Sequence, residues 1–207
     1  MADAFRDARK YPGLRRFLFA SYLYQDALGT AIAFMAIYAV KVLGLAKGEE
    51  AKLFAALTVP AVIGSYLAGL ASDRLGPRRT LVLVLWGWVA GLLAIALAPT
   101  LGAFWAAGAL LGFVFGGIWS VERPLLLTLV PDSEAGRFFG LLVLSARAAA
   151  IVGPLVWALI ADHLFRPFGE TFGYRAAVAS LVLFMLGAIA LLRRVPDGTL
   201  RSPHSTA

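Results

Sequence analysis

In FLFASYLYQDALGTAIAFMAIYAV, residues 17–40, a glutamine and an aspartate interrupt a run otherwise apolar enough to cross a bilayer. On a helix Tyr22, Gln25, Asp26, Gly29 and Thr30 fall at i, i+3, i+4, i+7 and i+8, so they form one polar stripe. Such a stripe faces protein or water. Asp26 lies ten residues beyond Arg16, which is about 15 Å along a helix and roughly halfway through a hydrocarbon core about 30 Å thick. A carboxylate at that depth costs about 2.5 to 3.5 kcal/mol on insertion scales, and it is retained where it meets a cavity or a partner. A second segment, FFGLLVLSARAAAIVGPLVWALI, carries Arg147 ten residues beyond Arg137, at the same depth. The sequence therefore predicts that Asp26 and Arg147 face one another or a shared wet cavity. Either the pair locks two helices together, or it is a solute or proton site. A guanidinium grips carboxylates bidentately, so Arg147 would suit an acidic or zwitterionic solute, and competition for it would couple solute to Asp26.

The elements that must position these groups are membrane helices. Of the 207 residues 60% are hydrophobic and 15% charged, and the mean hydropathy of +0.81 leaves more apolar surface than a soluble core of this size hides. Six apolar segments stand out, at 17–43, 53–71, 80–98, 102–123, 138–161 and 174–192. They are too long and too continuously apolar for barrel strands, so the fold class is all-α, a polytopic membrane protein. The first run follows Arg6, Arg9, Lys10, Arg15 and Arg16 but is about twice the usual length of a signal-peptide core, and it is read as retained. The expected organisation is a tail at 1–16, one six-helix bundle at 17–193 and a second tail at 194–207, with 3+3 inversion the plan open to six spans.

Basic residues orient that bundle. Thirteen Lys/Arg fall on the side of both termini and five on the other, which predicts cytoplasmic termini in a bacterial cytoplasmic membrane. The charge of +7 reflects that orientation, and no nucleic-acid partner is expected. The chain contains no cysteine, and its two histidines, His163 and His204, sit in a loop and a tail. Neither a metal site, a cofactor nor an enzyme's catalytic constellation is expected. Gly108, Gly112 and Gly116 on the fourth span, and Gly87 and Gly91 on the third, mark faces for close helix packing, with sliding of those faces as the alternative. Pro60 and Pro154 fall inside the second and fifth spans, where they kink or loosen a helix.

The most specific motif is the turn G-L-A-S-D-R-L-G-P-R-R, residues 69–79. Gly76 permits the tight turn, Asp73 can accept hydrogen bonds from a neighbouring helix end, and Arg74, Arg78 and Arg79 hold the loop at the cytoplasmic face. This turn resembles the G-x-x-x-D-R-x-G-R-R/K signature of the major facilitator superfamily, matched at Gly69, Asp73, Arg74, Gly76, Arg78 and Arg79, with Pro77 where an arginine is common. Together with FLFASYLYQDALGTAI and GGIWSVERPLLLTLVPDSEAGRFFGLLVLSARAAAIVGPL, it resembles the autophagy-related vacuolar amino-acid effluxers and their bacterial relatives.

The resemblance covers residues 17 to 160 or so and is to the second half of a twelve-helix transporter. It implies secondary active efflux of a small solute, amino acids by analogy with the eukaryotic members, by alternating access. It also implies a second six-helix bundle, identical or not. The chain is then a fragment, a split-gene subunit or a half that dimerises, and a non-transporting membrane interaction module is the rival reading. The expected solute and coupling residues are Tyr22, Gln25, Asp26, Thr30 and Arg147, with a proton as one coupling option. The basic turn is the expected cytoplasmic gate, and Glu122 and Arg123, at the end of the fourth span, are candidates for the same charge cluster or for simple interfacial anchoring.

Overall fold

The computed structural model describes residues 10–11, 13–46, 48–149 and 151–196. Most of the two expected tails, with Arg6, Arg9, Arg201 and His204, lies outside the described residues, as does Lys47. The helices are α1 (Leu14–Leu43), α2 (Glu50–Leu75), α3 (Pro77–Leu97), α4 (Leu101–Leu129), α5 (Asp132–Ala149), α6 (Val152–Ala158) and α7 (Glu170–Leu192). A π-helical turn, Leu159–Leu164, continues α6, so α5, α6 and this turn together make the fifth span. Six stretches are long and apolar enough to cross a membrane, and among the described residues there is no strand. The chain is an all-α integral membrane protein.

Local chemistry sets the helix ends. Gly44 closes α1 in the left-handed region at φ +71°, which a glycine adopts without strain. A single residue, Gly76 at φ +85°, separates α2 from α3, and Pro77 then supplies the first turn of α3, where its missing N–H costs nothing. Thr100 caps α4 by accepting the Ala103 N–H at 3.2 Å. The fifth span is interrupted between Ala149 and Val152. Pro154 follows the interruption, and its ring and missing N–H disfavour a regular helix through the preceding turn.

Glycines then bring the helices together. A Cβ on Gly64 would overlap the backbone of Phe113, one on Gly116 the backbone of Ala61, and one on Gly112 would lie 2.8 Å from the Leu57 carbonyl oxygen. The α2 and α4 backbones therefore touch, which is why small residues recur every four positions. On the other face of α4, Gly87 and Gly91 of α3 receive Val114 and Leu111.

The resulting topology is regular. Span one packs on spans five and six, span four packs on spans two and three, and spans three and six close the bundle against each other. Moving three spans along the chain maps one set of neighbours onto the other, and the direction of travel reverses. This is the 3+3 inverted repeat of half a major facilitator fold. Its ends are stapled by polar contacts. At the arginine-rich end Arg16 Nη1 donates to the Arg194 carbonyl at 2.8 Å, and Arg78 Nη1 donates to the Val195 carbonyl at 2.8 Å. At the opposite end Lys41 pairs with Glu170 at 2.9 Å, and Arg175 Nη2 donates to the Ala98 carbonyl at 2.8 Å.

Burial is uneven. Only 17% of the apolar window of α2 and 24% of that of the fifth span is buried, against 44 to 56% for the other four. Spans two and five are thus the two the bundle leaves most open.

Candidate functional site

The polar stripe on α1 splits between two neighbours. Gln25 faces α4, where its side-chain amide donates to both carboxylate oxygens of Glu122 at 3.2 and 3.3 Å. Ser21 Oγ donates to Glu122 Oε1 at 2.8 Å, and the Tyr24 hydroxyl donates to the same oxygen. Three side chains of one helix thus converge on one carboxylate of another, and all four are buried, Glu122 with 5% of its surface exposed. The spacing explains the convergence, because Ser21, Tyr24 and Gln25 stand at i, i+3 and i+4 and share a face.

Asp26 and Thr30 turn the other way, toward the fifth span. A Cβ on Gly153 would lie 3.1 Å from Asp26 Cγ and would overlap the Thr30 hydroxyl, so only a glycine lets α6 approach here. Thr30 Oγ1 donates to the Asp26 backbone carbonyl at 2.8 Å. Asp26 is fully buried, yet neither carboxylate oxygen has a hydrogen-bond partner among the described residues. Tyr22 takes a third direction and lines a groove with Leu141, Leu144 and Ala148 of α5.

Two sequence expectations need correcting. Arg147 does not meet Asp26: it is exposed, and no ion pair joins it to Asp26. The reason is register as well as direction: Ser145 lies against the Leu18 carbonyl and Gly153 against Asp26, so Arg147 stands level with Ala20, about 9 Å along the axis from Asp26. Arg147 instead occupies the last turn of α5, where a cation is favoured beside the terminal carbonyls. Glu122 does not sit in a charge cluster at the end of the fourth span. The helix continues to Leu129 through Pro124, which places Glu122 about 10 Å inside that end. Pro124 is exposed, and membrane helices accommodate internal proline. Arg123 is exposed.

Ser21 and Tyr24 are functional candidates that the polar stripe alone did not include. The signal that finds them is the spacing S-x-x-Y-Q, combined with a carboxylate well inside another apolar run.

Farther along α1 and α4, about two helical turns from Gln25 and Glu122, α1 to α4 frame a cleft of about 360 Å³ lined by Met35, Leu57, Trp88, Leu111 and Phe115. Trp88 is buried there, and its indole N–H has no partner among the described residues. Of the basic turn, Asp73, Arg74 and Arg79 are exposed, while Arg78 is engaged with the carbonyls that follow α7.

The family model described as vacuole effluxer Atg22 like matches residues 1–198. The chain belongs to this family. It is 28% identical over 200 residues to an uncharacterized MFS-type transporter, YxiO, of Bacillus subtilis (strain 168), covering 96% of this chain and 45% of that protein. It is 28% identical over 158 residues to a probable 4-methylmuconolactone transporter of Cupriavidus pinatubonensis, covering 76% of this chain and 36% of that one. Against autophagy-related protein 22 of Pichia angusta it is 24% identical over 198 residues, covering 90% of this chain and 34% of the relative. The chain therefore spans less than half the length of these relatives, whose names are those of transporters and an autophagy-related protein rather than enzymes.

Proposed function

We propose that this chain is one six-helix half of a secondary transporter that moves a small amine-bearing solute, amino acids among them, by alternating access. The observation that carries the reading is the pair of buried carboxylates about one helical turn apart along α1: Glu122 gripped by Ser21, Tyr24 and Gln25, and Asp26 with no side-chain partner among the described residues. Two acids that no cation pairs with among the described residues suit an ammonium group or a proton, whereas a site built on Arg147 would have suited a carboxylate. The cleft at Met35, Leu57 and Trp88 supplies apolar surface for the rest of the solute. Arg147, exposed on the open fifth span, is then presented to whatever covers that span.

Alternating access needs two bundles rocking about a midplane site, so a second six-helix bundle covers α2 and the face of the fifth span that carries Val143 and Arg147, away from the groove beside α1. The arginine-rich end faces the cytoplasm of a bacterial cell, and Asp73, Arg74 and Arg79 in the basic turn are exposed there to gate against that second bundle.

The test is reconstitution of the full chain in liposomes with a panel of labelled solutes, alone and with a candidate second half, together with crosslinking in native membranes. Amine-bearing solutes should be carried only when two bundles are joined, and Glu122→Gln should abolish the flux. Transport by an uncrosslinked monomer would refute the two-bundle requirement. Equal transport of solutes without a cationic group would refute the assigned chemistry.

A further inference from the structure

At the arginine-rich end a cleft of about 850 Å³ opens between the start of α1 and the end of α7, lined by Arg15, Arg16, Arg193 and Arg194. Phe19 and Leu191 also line it, and both belong as well to a second groove of about 460 Å³ that runs between α1, α5 and α7 past Leu18, Tyr22 and Leu144. The two spaces adjoin at Phe19 and Leu191, the first basic at the membrane boundary and the second apolar below it. Phe19, where they join, is 49% exposed.

Among the described residues no carboxylate lines the basic cleft, and Glu134, outside it, accepts the hydroxyl of the lining residue Tyr11 at 2.8 Å. Two of the arginines are held in place, Arg16 by its bond to the Arg194 carbonyl and Arg193 by stacking 5.8 Å over the Trp86 ring.

We propose that this end of the bundle seats an anionic phospholipid, its phosphate among the four guanidinium groups and one acyl chain in the groove below. Guanidinium groups clustered at a membrane boundary attract anionic headgroups, and their planar forks match phosphate oxygens. The depth of the groove decides between lipid and free anion. Phe19 and Tyr22 lie on the first two turns of α1 inside the arginines, so a ligand that fills both spaces is charged at one end and apolar along the helix axis. Inorganic phosphate would use only the cleft, and a zwitterionic lipid would bring the same phosphate together with a quaternary ammonium that the guanidinium groups repel.

Native mass spectrometry of the full chain in detergent tests this, with titrations of phosphatidylglycerol, phosphatidylcholine of the same acyl chains, and inorganic phosphate. Phosphatidylglycerol should be retained selectively and should not be displaced by an equal concentration of inorganic phosphate. The double variant Arg15→Gln with Arg194→Gln should weaken its binding about 30-fold, at roughly fivefold per arginine near the membrane surface. Arg123→Gln with Arg137→Gln removes the same charge from exposed positions outside the cleft and should leave binding unchanged. Phe19→Ser should weaken the lipid and not the small anion. Equal retention of phosphatidylcholine, displacement by phosphate, or equal losses in the two double variants would overturn the proposal. The wild-type headgroup comparison decides the matter even where a variant fails to fold.

Discussion

The two buried carboxylates should respond in opposite ways to removal. Replacing Glu122 by Ala takes the shared acceptor from Ser21, Tyr24 and Gln25. The Ser21 hydroxyl can turn back to a carbonyl of its own helix, but Tyr24 and Gln25 keep buried donors without partners. Each orphaned donor costs about 1 to 3 kcal/mol, so the loss should be about 2 to 6 kcal/mol. Asp26→Asn breaks no side-chain to side-chain hydrogen bond among the described residues, keeps an acceptor oxygen toward the Gly153 N–H, and leaves the Thr30 bond to the Asp26 backbone intact. It also relieves the insertion cost of a carboxylate, about 2.5 to 3.5 kcal/mol at a helix centre. Stability should therefore hold or rise. Equilibrium unfolding in mixed micelles, followed by the fluorescence of the five tryptophans, measures both. A loss for Asp26→Asn as large as that for Glu122→Ala would refute the assignment of the two carboxylates to different environments.

Glu122→Gln should stay folded, since one oxygen remains an acceptor and the Gln25 amide can turn to meet the new N–H₂ group; the unfolding assay should place it within about 1 to 1.5 kcal/mol of wild type, the scale of one neutral hydrogen bond. Gly153→Leu should separate α6 from α1, because even a Cβ overlaps the Thr30 hydroxyl; overpacking of this kind costs about 1 to 3 kcal/mol, and crosslinking between Thr30→Cys and Val152→Cys should fall with it. Arg147→Gln should change stability by less than about 0.5 kcal/mol, as expected of an exposed side chain, and a larger loss would restore a buried role for it. Asp73→Asn should slow solute flux more than it weakens solute binding, and the reverse pattern in paired flux and binding measurements would remove the gating role.

Length and composition were enough to place six membrane spans, because the hydrocarbon thickness sets the run of apolar residues a helix needs whatever its neighbours are. The same one-dimensional reading found Gln25 and Asp26 as polar residues that the bundle must bury, the glycine faces of α3 and α4, and the basic turn at Gly76. Helix ends were less legible: Glu122, Arg123 and Pro124 look like a terminus, yet the fourth span continues to Leu129. Polar residues end a span only when no neighbouring helix satisfies them, and here Ser21, Tyr24 and Gln25 do. Pairing was not legible at all. Counting from Arg16 and Arg137 put Asp26 and Arg147 at one depth, but the fifth span packs with Ser145 at Leu18 and Gly153 at Asp26, and which face of α1 meets α4 or the fifth span depends on how closely Gly64, Gly112, Gly116 and Gly153 let the backbones approach. Rise per residue is a local property that the chain carries everywhere. The rotation of each helix is decided by all its neighbours together, so only the packed bundle determined that Glu122 is gripped, that Asp26 has no side-chain partner among the described residues and that Arg147 points out.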